Sequence, residues 1–139
     1  MPTPLPPGQY QRVLAIDTDA EFLSAVKKVV ETGRCRVECV SNAVEALARL
    51  EHDAYDLVIC DAHIPELEPV ELYARVAERL PEGLQLLFLS SQPLSEEERL
   101  FFEEHRLTCL EKPLHLRRFL DKLDDLLLLA AQPPEESDS

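Results

Sequence analysis

The chain has 139 residues, room for one compact domain and little else, and its 45% hydrophobic and 29% charged content is ordinary for a globular protein. Its 14 basic against 27 acidic residues give a formal charge of −13, and an acidic body repels phosphate backbones and anionic lipid, so no nucleic-acid or membrane-surface partner is expected. The start, Met1 to Pro7, lacks the basic and apolar parts of a secretion signal, and the longest apolar stretch, Leu126 to Ala131, is far short of the roughly 20 residues of a membrane span; a cytoplasmic setting is expected.

Residues 1–9 hold four of the eleven prolines and read as a disordered, extended lead-in to a domain over 10–131. The first apolar run predicts a strand over 12–16, followed by a helix with Thr18 and Glu21 at capping-box spacing and Gly33 at its end. At 35–40, Cys35, Val37 and Cys39 alternate with Arg36 and Glu38, the pattern of an edge strand with one wet face. Asn42 and Glu45 then open a second helix, and strand three runs over 56–60. A third helix and a loop ending at Gly83 lead to strand four at 84–89, and Ser95 with Glu98 caps helix four. Strand five, 108–111, precedes the last helix, where Leu116, Leu120, Leu123 and Leu127 form a stripe at helical spacing that reads as core. Leu128 and Leu129 fall away from that stripe, and the adjacent Phe101 and Phe102 cannot both face inward, so an apolar patch is expected on the face of helix four, strand five and helix five. Residues 132–139 read as a disordered acidic tail.

Strands one, three and four are continuous apolar runs, as in central parallel strands covered on both sides. Strand–helix alternation with right-handed crossovers predicts a three-layer (βα)5 sandwich, an α/β fold with a five-stranded parallel sheet in the order 2-1-3-4-5. The four cysteines, Cys35, Cys39, Cys60 and Cys109, make no C-x-x-C pair and lie in strand-like runs, which fits buried free thiols in a reducing compartment.

Four of the five strands lead at their carboxyl ends, where ligands of such sheets bind, to a polar side chain: Asp17, Asp61, Ser90 and, after Glu111, Lys112. Two carboxylates at neighbouring strand ends repel unless a cation or proton intervenes, so Asp17 and Asp61 suit a hard divalent cation. Their plainer role is as turn or cap residues; for Asp61 that is weakened by Pro65, since no helix begins directly after it. Asp19 stands where the first helix starts and reads as its N-cap at least as readily as a contact to the metal, and Thr18 reads as a cap or turn residue. Lys112, held out of helical geometry by Pro113, can neutralise the carboxylates, and Ser90 can donate to a phosphoryl oxygen or cap its loop.

The motifs Val-Leu-Ala-Ile-Asp-Thr-Asp (13–19), Asp-Leu-Val-Ile-Cys-Asp-Ala-His-Ile-Pro (56–65), Leu-Phe-Leu-Ser-Ser (87–91) and Leu-Glu-Lys-Pro-Leu (110–114) resemble, in order and spacing, the receiver domain of two-component response regulators, over roughly residues 11–130. The resemblance implies a CheY-like (flavodoxin-like) fold and a phosphoprotein that is not an enzyme. It implies a phosphoryl group accepted on Asp61 from a histidine kinase or phosphotransfer protein, with Ser90 and Lys112 on the phosphoryl oxygens. Asp17, Asp61 and the backbone carbonyl of His63 would hold Mg2+. Three positions depart from the family pattern: Thr18 replaces a second acid and weakens the metal site, Pro69 replaces a loop glycine, and Cys109 replaces the aromatic that swings inward on activation. Two residues beyond the acceptor, His63 either tunes loss of the phosphoryl group or is an exposed loop histidine.

Three functions follow. The first is a stand-alone receiver that signals through an effector protein, with a homodimer through the helix four, strand five and helix five face as one outlet. The second is a pseudo-receiver, unphosphorylated, that docks a partner constitutively. The third, least supported, is a haloacid-dehalogenase-like phosphatase, suggested by Asp17-Thr18-Asp19 but lacking the expected glycine and threonine, which are Ala20 and Glu21 here. Three glycines, Gly8, Gly33 and Gly83, cannot build a dinucleotide-binding loop.

Overall fold

A computed structural model describes residues 10–32 and 34–132. Five strands and five helices alternate: β1 Gln11–Ile16, α1 Ala20–Val30, β2 Cys35–Val40, α2 Ala43–His52, β3 Leu57–Asp61, α3 Pro69–Val76, β4 Gln85–Ser90, α4 Glu96–Glu104, β5 Thr108–Glu111 and α5 Leu116–Ala131. A 3-10 segment, Ala77–Glu82, extends α3. All pairings are parallel in the order β2-β1-β3-β4-β5, and each strand lies within a residue of its expected place. The lead-in over 1–9, the helix-ending role of Gly33 and the tail beyond Gln132 lie outside the described residues.

Side-chain alternation splits the core in two. Leu14, Ile16, Val58, Cys60, Leu86 and Phe88 face α2, α3 and α4. Val13, Ala15, Leu57, Ile59, Leu87 and Leu89 face α1 and α5. With helices on both faces, β1, β3 and β4 have no wet side, which is why they read as unbroken apolar runs.

Capping explains most helix starts. Asn42 accepts from the Glu45 amide, and Ser95 and Glu98 form a full capping box. At the first helix the N-cap is Asp19, as its place in the sequence suggested, accepting from the amides of Glu21 and Phe22, while the Thr18–Glu21 capping-box spacing is not used. Of the expected α5 stripe, Leu120, Leu123 and Leu127 pack into the core and only Leu116 does not. Phe119, Leu123 and Leu126 are its buried residues, whereas Leu116 is 56% exposed. Phe119 is the larger apolar anchor and it sets the helix rotation, turning Leu116 outward. Leu128 and Leu129 are exposed as expected. Of the phenylalanine pair, Phe102 is buried against Phe88, and Phe101 stacks edge-on against Tyr73 of α3, which takes it out of the expected patch.

Candidate functional site

Strand register brings the chemistry together. Ile16 pairs with Cys60 and Ser90 with Glu111, so Asp17, Asp61, Ser90 and Lys112 meet at the carboxyl edge of the sheet. The Lys112 amide donates to the Ser90 carbonyl at 2.7 Å, continuing the ladder one residue past β5. Lys112 also precedes a cis peptide bond to Pro113.

Lys112 Nζ lies 2.6 Å from Asp17 Oδ2 and 2.7 Å from Asp61 Oδ2, donating to both. The other oxygens are held by the backbone: the Asp19 amide donates to Asp17 Oδ1 at 2.9 Å and the His63 amide to Asp61 Oδ1 at 2.7 Å. Asp17 is 4% exposed and Asp61 8%, so two buried carboxylates share one ammonium. Burial alone would pull the pKa of Lys112 down, but its hydrogen bonds to Asp17 and Asp61 outweigh burial and hold the ammonium above the usual lysine value. The ring of Phe22, 4.1 Å from Nζ, covers the cation from α1.

Ser90 is at the same edge, with its hydroxyl engaged by the backbone of Gln92: it donates to the Gln92 carbonyl at 2.5 Å and accepts from the Gln92 amide. Thr18 is exposed, and Asp19 is spent on capping α1.

His63 is part of the wall. Its Nε2 lies 3.0 Å from Glu98 Oε2, and its Nδ1 is buried without a hydrogen-bond partner. Glu98 Oε1 meanwhile accepts from the Ser95 amide, so one carboxylate closes the α4 capping box and ties α4 to the loop after β3. Neither Phe22 nor Glu98 stood out in the sequence. A phenylalanine in a first helical turn reads as core, and Glu98 was already accounted for by its local cap.

Asp17 and Asp61 offer the hard oxygen donors that magnesium takes, and one or two carboxylates with phosphate oxygens and waters suffice for that ion. Among the described residues no group of three or more His, Cys, Asp or Glu is placed to hold a metal. The donor set therefore fits magnesium in kind and is lean in charge. The cysteines play no part: all four are free, and burial pushes the Cys35 thiol up to about 11, the Cys109 thiol up to about 12, and the Cys60 thiol higher still. Among the described residues no helix is long and apolar enough to cross a membrane.

The family model described as response regulator receiver domain matches residues 13–124. Among curated proteins, the chain is 25% identical over 126 residues to the response regulator receiver protein CpdR of Brucella abortus, covering 86% of this chain and 99% of that one. It is also 25% identical to the transcriptional regulatory protein CpxR homolog of Haemophilus influenzae, over 88% of this chain but only 52% of that protein. Among solved structures, a CheY-like receiver domain protein from Methanospirillum hungatei aligns with a TM-score of 0.77 at 24% identity, over 88% of this chain and 97% of that one. The non-phosphorylated HemR receiver domain from Leptospira biflexa aligns with a TM-score of 0.71 at 28% identity, over 84% and 94% of the two chains. Fold, motif order and family match agree, and the chain belongs to the response regulator receiver domain family of two-component signalling.

Proposed function

We propose that this receiver accepts a phosphoryl group on Asp61 from a phosphohistidine of a sensor kinase or phosphotransfer protein, and signals by changing what its surface binds. The observation that carries the reading is Lys112 Nζ bridging Asp17 and Asp61 at 2.6 and 2.7 Å in a largely buried pocket. In the transfer an Asp61 carboxylate oxygen attacks phosphorus. The phosphorus–nitrogen bond breaks, the electron pair leaves with the imidazole, and an acyl phosphate remains. A phosphoryl group brings about −1.5 to −2 charges. Lys112 is the cation at hand to meet them, as a point charge able to slide from carboxylate to phosphoryl oxygen. Ser90 would join only by releasing Gln92. Magnesium, held by Asp17, Asp61 and the His63 carbonyl, would neutralise the remaining charge on the phosphoryl oxygens. No residue is assigned to turnover of a substrate, and the domain acts as a signalling module in a cytoplasmic setting.

The competing reading is a pseudo-receiver that docks its partner unphosphorylated. Exposed Thr18 in place of a second acid and the Ser90 hydroxyl already bonded to the Gln92 carbonyl favour it. Magnesium with beryllium trifluoride, a phosphoryl mimic, separates the two. Amide resonances of His63, Ser91 and Lys112 are expected to shift in the unmodified chain and to stay put in Asp61→Asn. Unmoved resonances in the unmodified chain at saturating magnesium would favour the pseudo-receiver.

A further inference from the structure

With Phe101 turned to Tyr73, a groove lies between α3 and α4, with a cavity of about 450 Å³. Val70, Phe101 and Phe102 supply its floor, Glu68, Glu97 and Glu98 its rim, and no lysine or arginine lines it. Acids in a first helical turn ordinarily serve the helix dipole. Here Glu68 makes no side-chain capping bond and Glu97 takes no part in the Ser95–Glu98 box, so neither carboxylate has a capping task. Val70 is 54% exposed over the groove, a large apolar side chain with nothing on it.

We propose that this groove docks a segment of a partner protein carrying one large apolar side chain flanked by lysines or arginines. The apolar side chain would cover Val70 and Phe101, where most of the binding energy of such a contact resides. The basic flanks answer Glu68 and Glu97, and the chain's net charge of −13 steers them in and repels a second copy. Ala62 and His63, the two residues after Asp61, form the inner wall. His63 donates its amide to Asp61 Oδ1 and meets Glu98 through its ring, so an occupant presses on the acceptor loop directly. Docking itself needs no phosphoryl group. Its coupling to phosphorylation rests on the function proposed above, and by linkage would run equally in both directions.

The full chain would be titrated with a labelled peptide bearing a central phenylalanine among lysines, and with a control in which glutamates replace the lysines. The basic peptide is expected to shift the amides of His63, Val70, Glu98 and Phe101 and the acidic one to leave them in place. Val70→Ser, at an exposed position that folding tolerates, and Phe101→Ser should each weaken binding about tenfold, and Leu128→Glu should not. Equal affinity in Val70→Ser, or shifts confined to other acidic surfaces, overturns the proposal. So does self-association of the chain that disappears in Val70→Ser, which would assign the groove to a second copy. Repeating the titration with magnesium and beryllium trifluoride tests the coupling separately: a changed affinity supports it, and an unchanged one removes the coupling while the docking result stands on the variants.

Discussion

At the residue scale the site is an imbalance held in check. Two buried carboxylates face one ammonium, and removing that ammonium leaves both uncompensated in a poorly solvated edge. Lys112→Met should therefore cost about 3 kcal/mol in urea unfolding at neutral pH. In an Asp61→Asn background the same change should cost clearly less, because one carboxylate fewer is stranded. Additive costs would mean that the three side chains do not act as a unit. The sign of the lysine's titration sets where this matters. Its folded pKa lies above the unfolded value, so its stabilisation is complete at neutral pH and is lost only as pH rises through the folded value. Asp17, Asp61 and Lys112 were legible as a group because each ends an apolar run. The bonding of Ser90 to Gln92 was not, since spacing along the chain says nothing about which backbone groups a hydroxyl will engage. Phe22 and Glu98 were hidden for a related reason: each has a local role that explains its presence without the contact it makes across the fold.

At the element scale, the edge strand β2 is held by a charge cluster as well as by the buried side chains of Cys35, Val37 and Val40. Glu38 receives Arg12 from β1, Arg49 from α2 and the Tyr55 hydroxyl from the loop before β3, at 2.5, 2.5 and 2.8 Å. Burial would raise the Glu38 carboxyl, but the hydrogen bonds from Arg12 and Tyr55 prevail and hold it below its usual range. A depressed folded pKa means stability present above the unfolded value, about 4.3, and lost as pH falls through the folded one. Glu38→Gln should thus be less stable than the unmodified chain at about pH 7, with the gap closing below about pH 4. A gap in urea midpoint that does not change with pH would contradict this account. The period-2 pattern of β2 did reveal an edge strand, yet it marked Glu38 as simply wet. Alternation reports which face a residue occupies and is silent about the helix partners waiting there. The same limit explains α5, where Leu120, Leu123 and Leu127 of the expected stripe face the core while Leu116 gives way to Phe119.

At the scale of the whole molecule, strand order and layering were readable because parallel crossovers leave few topologies for five alternating units. Surface function was less readable. The expected patch on α4, β5 and α5 keeps Leu128 and Leu129 but loses Phe101 to α3, a side-chain choice that no periodicity encodes. Excess acid also acts globally. A charge of −13 repels itself more in the folded state than in the expanded one, so urea midpoints should rise as sodium chloride screens it from about 0.01 to about 0.5 M. A falling midpoint would show that specific ion pairs outweigh the net charge.

Phosphoryl transfer to Asp61 leaves a covalent mark that intact mass detects. Incubated with magnesium and a small-molecule phosphodonor, the chain should gain the mass of one phosphoryl group, and Asp61→Asn should gain none. No gain in the unmodified chain, or a gain that survives Asp61→Asn, would contradict phosphoryl transfer to Asp61.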